Sequence, residues 1–361
     1  MVGKAGPAAM NAERYDAEHL TDFAHALLKR AGMEDLIALD VAEVLVEGDL
    51  LGHDTHGLQL LGPYLAELEK GTMQKEGEVT VLSEHTVVAS WDGQRLPGPH
   101  LVRQAINWAL PRARMHGQAS VAIRRSHHIA CLAAYLEPVA RSGMMMILSC
   151  SDPSSASVAP FGGTQAVFTP NPYAVGIPTS AEPIMIDISA SVTTNGMSNR
   201  MKALGQKGDH AWWLDALGQP SNDPGVLATQ PPGTILPVGG LEAGHKGYGL
   251  ALMIEALTAG LSGWGRADVS EGWGATVYVQ ILDPAAFAGL SSFTWQTDWL
   301  VEACKNNLPR DSQKPVRLPG HRGLALKAQQ LVKGVVLHPS IAPQLKTWAA
   351  KLGEAMPHPT I

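Results

Sequence analysis

Gly244-His245-Lys246-Gly247-Tyr248-Gly249 leads into an apolar run that continues to Leu261. Glycines let a backbone come close to a ligand, and a helix N-terminus favours an anion. Lys246 sits at the helix end where the macrodipole disfavours a cation. A bound phosphate or carboxylate is one reading of that lysine, and a solvated side chain is the other. What the stretch lacks decides the fold. Neither a strand followed by Gly-x-Gly-x-x-Gly and a helix, nor a Gly-x-x-x-x-Gly-Lys-Ser/Thr loop, occurs anywhere in the 361 residues. The usual dinucleotide fold and the P-loop are disfavoured, so any nucleotide is held by other means.

Upstream, after a small, polar and loose start of about fifteen residues, the chain reads as helical to Gly71. Asp16 caps a helix carrying Leu20, Phe23, Leu27 and Leu28. A second helix carries Ile37, Val41, Val44 and Leu45, and a third Leu58, Leu61, Leu65 and Leu68. Short β-rich runs follow at Glu78–Leu82 and Thr86–Trp91, then a helix at Leu101–Leu110 and a strand at Ala119–Ile123. Ile129–Arg141 reads as a helix and Met144–Cys150 as a buried strand. Two or three strands lie between Ala166 and Ile188, and Asn195–Leu204 is helical. Thr276–Ile281 alternates as an edge or half-buried strand does. Helices near Trp299–Asn307, Gly323–Val332 and Ile341–Leu352 close the chain, with Val335–Leu337 as a short strand. The order helical, mixed, helical implies an α/β (mixed α+β) fold, a sheet domain with helical parts supplied by both chain ends. The divisions fall at 1–75, 76–235 and 236–361, the last including elements that return to the sheet domain.

Composition narrows the class. Hydrophobic residues at 45% and charged residues at 17% supply a sizeable core and exclude a disordered chain. A net charge of −6 leaves no footprint for nucleic acid or for an anionic membrane surface. The three cysteines, Cys131, Cys150 and Cys304, form no Cys-x-x-Cys pair. Together with the absence of a signal-peptide pattern, this points to a reducing, cytoplasmic setting.

Several clusters can carry chemistry. In Gly52-His53-Asp54-Thr55-His56-Gly57, a histidine beside a hydroxyl and a carboxylate can exchange a proton near neutral pH. The alternatives are a helix-capping loop and half of a metal site from His53 and His56. His127-His128 follow a strand, with Arg124 and Arg125 before them able to meet an anionic group. Asp187 stands in an apolar strand, where a carboxylate wants a partner, and Ser189–Ser191 follow it. The backbone and hydroxyls of Ser189–Ser191 can hold phosphate oxygens, or the segment is a plain strand-end turn. Pro319-Gly320-His321-Arg322 is a second loop-to-helix candidate.

Taken together, these segments resemble the type 2 malate/L-lactate dehydrogenase family, the sulfolactate/ureidoglycolate dehydrogenase-like oxidoreductases. The resemblance runs in order through Gly52–Gly57 to Tyr64, Arg124–His128, Val158-Ala-Pro-Phe-Gly-Gly163, Asn171-Pro172, Ile186–Ser191, Leu236-Pro-Val-Gly-Gly240, Lys246-Gly-Tyr-Gly-Leu250 with Leu261-Ser-Gly263, and Pro319-Gly320. The wording of the first two is most like the hydroxycarboxylate dehydrogenase B branch. The resemblance implies a non-Rossmann fold with a mixed, largely antiparallel sheet. It also implies a homodimer, with NAD or NADP bound in an extended pose and a 2-oxo acid, a related cyclic imine or the corresponding 2-hydroxy acid as substrate. By position it assigns His56 as proton donor or acceptor, His128 as a second active-site histidine and Asp187 as the acid beside them. Thr55, Tyr64 and Arg125 fall to the substrate. Ser189, Ala190, Ser191, Lys246, Gly320, His321 and Arg322 fall to the cofactor, and no metal is implied.

This chain departs from the family pattern at four positions. Thr55 replaces Ser, Leu60 replaces Arg, Arg125 replaces Asn and Ala130 replaces Gly. Loss of the arginine at Leu60 moves carboxylate recognition to Arg124, Arg125 or Arg200, and suits a bulkier or less polar substrate tail. Two rival readings remain, a metal-dependent lyase or hydrolase built on His53, His56, His127 and His128, and a non-catalytic family member.

Overall fold

The computed structural model describes residues 13–268 and 272–360. The opening stretch read as loose lies outside the described residues as far as residue 12. The chain divides into two compact units, residues 1–76 with 321–361, and residues 77–320. The boundary read at 75/76 adjoins this division. The one read at 235/236 lies inside the second unit, which runs on to Gly320.

The first unit is built from both chain ends. Its helices are Ala17–Arg30, Asp35–Leu50, Leu61–Lys70, His321–Lys333 and Ile341–Leu352. Asp16 caps the first, its carboxylate accepting from the amides of Glu18 and His19 at 2.9 and 3.0 Å. Leu20, Phe23, Leu27 and Leu28 are buried, as their spacing requires. An antiparallel ladder joins Arg14–Tyr15 to Val335–Val336, tying the two ends of the chain together.

The second unit holds a seven-stranded sheet of β1 (Thr80–Glu84), β2 (Val88–Asp92), β3 (Gln118–Ser126), β4 (Met145–Ser151), β5 (Pro172–Ile177), β6 (Ile184–Ser189) and β7 (Ala275–Leu282). Their order across the sheet is β1-β2-β3-β7-β4-β5-β6. Every neighbouring pair is antiparallel except β2 and β3. Helix Gly98–His116 makes the crossover that a parallel pair needs. The sheet is therefore mixed and largely antiparallel, as the resemblance implied, and is not a doubly wound dinucleotide fold.

Three elements differ from expectation, the first being the helix read near Trp299–Asn307, which runs from Leu290 to Lys305. Thr276–Ile281 was read as an edge or half-buried strand, yet β7 is the central strand, flanked by β3 and β4. Its alternating polar residues suggested a wet face, but Thr276 is fully buried and its hydroxyl donates to the Ser151 carbonyl. The helix read as Ile129–Arg141 begins with a tight turn at Leu132–Tyr135 and becomes α-helical only from Leu136 to Arg141. Ala130 stops it from starting sooner, because its φ of +58° lies in the left-handed region. That conformation costs a residue with a Cβ about 1 kcal/mol. Ala130→Gly should therefore raise stability by up to about 1 kcal/mol in denaturant unfolding, less the added freedom of the unfolded glycine. A loss of stability would show that the alanine methyl packs to advantage.

Among the described residues no helix is long and apolar enough to cross a membrane.

Candidate active site

In the second unit the sheet register collects the motifs at one end of the strands. β3 ends there at Ser126, followed by His127 and His128, and β7 begins beside it, with Ala275 opposite Ser126. β4 ends at Ser151 opposite Thr276, β5 begins there after Asn171, and β6 ends at Ser189 opposite Pro172. Strand ends with loops are where a rigid sheet can present side chains to a ligand.

His127 is completely buried and its Nδ1 accepts the His128 amide at 2.9 Å. The Nδ1 of His128 accepts the Ala130 amide at 3.2 Å. A neutral His128 ring therefore carries its proton on Nε2 and presents an N–H donor there. Asp187 accepts the Ala133 amide at 3.0 Å through Oδ2. Its carboxylate thus pins the far end of the short segment that bears His128.

Beyond β6 the chain packs on the glycine-rich helix start. The Val238 amide donates to the Ala190 carbonyl, and the Gly247 amide donates to the Val238 carbonyl. A Cβ on Gly247 would stand 2.6 Å from the Ala190 carbonyl oxygen, so only glycine allows this approach. Lys246, the second residue of helix His245–Glu255, is exposed, and the Gly244 N-cap offers no side-chain cap. Ser189–Ser191 and Lys246, far apart in sequence, thus meet at one place. The serine hydroxyls are already engaged, Ser189 with the Ser191 carbonyl at 2.8 Å and Ser191 with the Thr193 carbonyl at 2.6 Å. The Ala190 amide donates to the Pro170 carbonyl at 2.8 Å. Gly320 ends the unit on β6, with the Met185 amide donating to the Pro319 carbonyl at 3.2 Å.

Arg125 and Arg124 are both held by Asp92, at 2.8 and 2.9 Å. Asp92 is almost wholly buried. Burial pushes its carboxyl upward, and this largest single influence is outweighed by hydrogen bonds from Arg125, the Gln94 amide and Arg124, and by the Arg125 charge. The net effect lowers it below the usual carboxylate range. Its stabilisation is complete above the unfolded value of about 4 and is lost as pH falls through the lower folded value. Asp92→Asn should flatten stability against pH below about pH 4, measured by urea unfolding. An acid limb as steep as wild type would place the acid sensitivity elsewhere.

In the first unit, the His53–Gly57 turn is fastened to the end of its helix. The Asp49 carboxylate accepts the Leu58 amide at 2.7 Å, and Gln330 donates to the Asp49 and Leu50 carbonyls. Thr55 Oγ1 lies 2.9 Å from His56 Nδ1. A hydroxyl can donate to a neutral ring or accept from a protonated one, so His56 keeps this partner in both protonation states. Tyr64 is completely buried, Leu60 is half-buried, and His321 and Arg322 open helix His321–Lys333.

Sequence reading missed two features. Glu255 Oε1 accepts from Ser151 Oγ, Asn171 Nδ2 and Arg266 Nε at 2.7, 2.9 and 2.8 Å. Arg266 also reaches Ser151 Oγ and the Ser155 carbonyl. The signal was an acid in an otherwise apolar helix, but its partners come from β4 and from the residue before β5. Trp273, before β7, was also passed over. Its indole lies over His128 with ring centroids 4.6 Å apart.

The profile described as malate/L-lactate dehydrogenase matches residues 15–346. An L-lactate dehydrogenase of Cupriavidus necator is 31% identical over 331 residues, covering 89% of this chain and 93% of its own. Hydroxycarboxylate dehydrogenase B of Escherichia coli is 29% identical over 332 residues, 90% of each chain. Among solved structures, malate dehydrogenase from Pyrococcus horikoshii superposes with a TM-score of 0.86 at 25% identity, covering 96% of this chain and 98% of that one. A delta1-piperideine-2-carboxylate reductase from Pseudomonas syringae gives 0.82 at 25% identity, covering 93% and 100%. The chain belongs to the malate/L-lactate dehydrogenase family, and is therefore an oxidoreductase of the hydroxy-acid dehydrogenase type.

Proposed function

We propose that the protein interconverts a 2-oxo acid, or a related cyclic imine, with its 2-hydroxy or amino acid, using NAD(H) or NADP(H), and that it acts as a homodimer. The observation that carries this reading is His128, whose ring is held so that Nε2–H is the donor. Such a group suits a carbonyl or imine that gains electron density during reduction.

The residues at the glycine-rich helix start fit a dinucleotide. Lys246, exposed on the first turn of that helix, offers a cation suited to a pyrophosphate. Because the Ser189 and Ser191 hydroxyls and the Gly247 amide are spent internally, Lys246 would carry most of that charge. The nicotinamide, when bound, supplies or takes the hydride.

Residues of this chain do the rest. His128 orients and polarises the substrate oxygen or nitrogen through Nε2–H. Asp187 keeps the segment bearing His128 in place through the Ala133 amide. His56 delivers the proton to the developing alkoxide, and in the oxidative direction takes it back. With Arg124 and Arg125 engaged by Asp92 and Leu60 apolar, the substrate tail need not be strongly anionic. The likeness to an imine reductase favours keeping cyclic imines among the substrates.

A panel of aliphatic and aromatic 2-oxo acids and cyclic imines, each with NADH and with NADPH, tests the reading. Consumption of reduced cofactor with at least one compound, unaffected by a chelator, is expected. No consumption with any of them would overturn it. Lys246→Ala should raise the cofactor dissociation constant about tenfold, the effect of losing about 1.4 kcal/mol from one charge-assisted contact. An unchanged constant would remove Lys246 from the cofactor site.

A further inference from the structure

We infer that Trp273 is a positioning residue for His128, holding the plane of the imidazole so that its Nε2–H points in one direction. The inference rests on the reading of His128 given above. The indole lies against the His128 ring with centroids 4.6 Å apart and the planes tilted by 33°, and the same indole meets His127 edge-on at 5.2 Å and 73°. The Ala130 amide fixes which nitrogen faces inward. A hydrogen bond to one ring atom still allows the ring to tilt about that contact. A broad aromatic surface packed against the ring narrows the range of that tilt.

Trp273 is itself held from the same end of the sheet. Arg95 Nη2 donates to its carbonyl at 3.2 Å. Arg95 and the preceding Gln94 both adopt left-handed backbone conformations, with φ of +61° and +52°. Such conformations in residues with a Cβ persist only where the surroundings enforce them. They turn the 93–98 loop so that the Arg95 amide donates to the Arg125 carbonyl and the Leu96 carbonyl accepts from the His127 amide. At the end of that loop, a Cβ on Gly98 would meet the His127 and His128 carbonyl oxygens at 2.5 Å. One loop therefore grips both the backbone under the two histidines and the tryptophan that covers them.

The test compares Trp273→Phe, Trp273→Leu, His128→Ala and the double variant His128→Ala/Trp273→Leu. Trp273→Leu keeps an apolar side chain but loses the flat face, and should lower kcat about ten- to a hundredfold with KM little changed. Trp273→Phe, which keeps an aromatic face, should recover most of that loss. The double variant should be no slower than His128→Ala alone, because a residue acting only through His128 has nothing left to position. Independently of turnover, the His128 ring protons should lie upfield in wild type and in Trp273→Phe, and move downfield in Trp273→Leu. Losses that multiply in the double variant, or a Phe variant no better than Leu, would overturn the positioning role. Wild-type turnover in His128→Ala would instead refute the reading of His128, and the inference with it.

Discussion

Replacing His56 by alanine is expected to lower kcat by about 10² to 10⁴, the usual contribution of a placed proton donor. The cofactor dissociation constant should stay near wild type. The reason is local. Thr55 Oγ1 sits 2.9 Å from Nδ1 and can reverse its role as donor or acceptor when the ring gains or loses a proton. The ring then changes charge without losing a partner, which suits a group that must do so in every turnover. The turn bearing it is anchored by other groups, Asp49 to the Leu58 amide and Gln330 to two carbonyls, so removing the imidazole should leave the fold intact. Stopped-flow turnover alongside cofactor titration separates the effects. Equal losses in both would make His56 structural.

The largest stability effect should come from a residue outside the proposed chemistry. Glu255 and Arg266 have side chains only 15% and 19% exposed. Glu255 gathers Ser151 from β4, Asn171 before β5 and Arg266 beyond its own helix onto one oxygen. Glu255→Ala would leave a largely buried guanidinium without its counter-charge, and a broken buried pair costs about 3–5 kcal/mol. The remaining exposure argues for the lower end, about 3 kcal/mol, read from the urea midpoint. Glu255→Gln retains an acceptor for Ser151 and Asn171 and should lose less. A loss below about 1 kcal/mol in the alanine variant would show that water satisfies Arg266.

The contrast between these two residues shows how much the sequence discloses. The His56 turn lies within six residues, 52–57, between two apolar helices, so hydroxyl and imidazole could be read as neighbours from spacing alone. The three N-terminal helices, most strands and the missing glycine fingerprint were legible for the same reason. Each is a local pattern. Glu255 showed only as an acid in an apolar run, because its partners Ser151 and Asn171 are 104 and 84 residues away. Arg124 and Arg125 looked like a ready anion clamp, since nothing nearby announced that Asp92, thirty-odd residues earlier, would hold both. The central place of β7 was hidden by Thr276 and Gln280, whose alternation imitates a solvated face. Trp273 had no local signal at all, and its partner His128 arrives only through the pairing of β3 with β7. Ala130 stood out against the family pattern, and its left-handed φ explains why glycine belongs there.

The claim that hydride moves between a nicotinamide and the substrate carbon is tested most directly by isotope transfer. Reduced cofactor deuterated at C4 on the transferring face is supplied with the best oxo acid or imine from the panel, and the product is examined by mass spectrometry and proton NMR. The account predicts one deuterium on the former carbonyl or imine carbon and a solvent-derived proton on the oxygen or nitrogen. Product formed without deuterium at that carbon, at a rate independent of the cofactor, would contradict it.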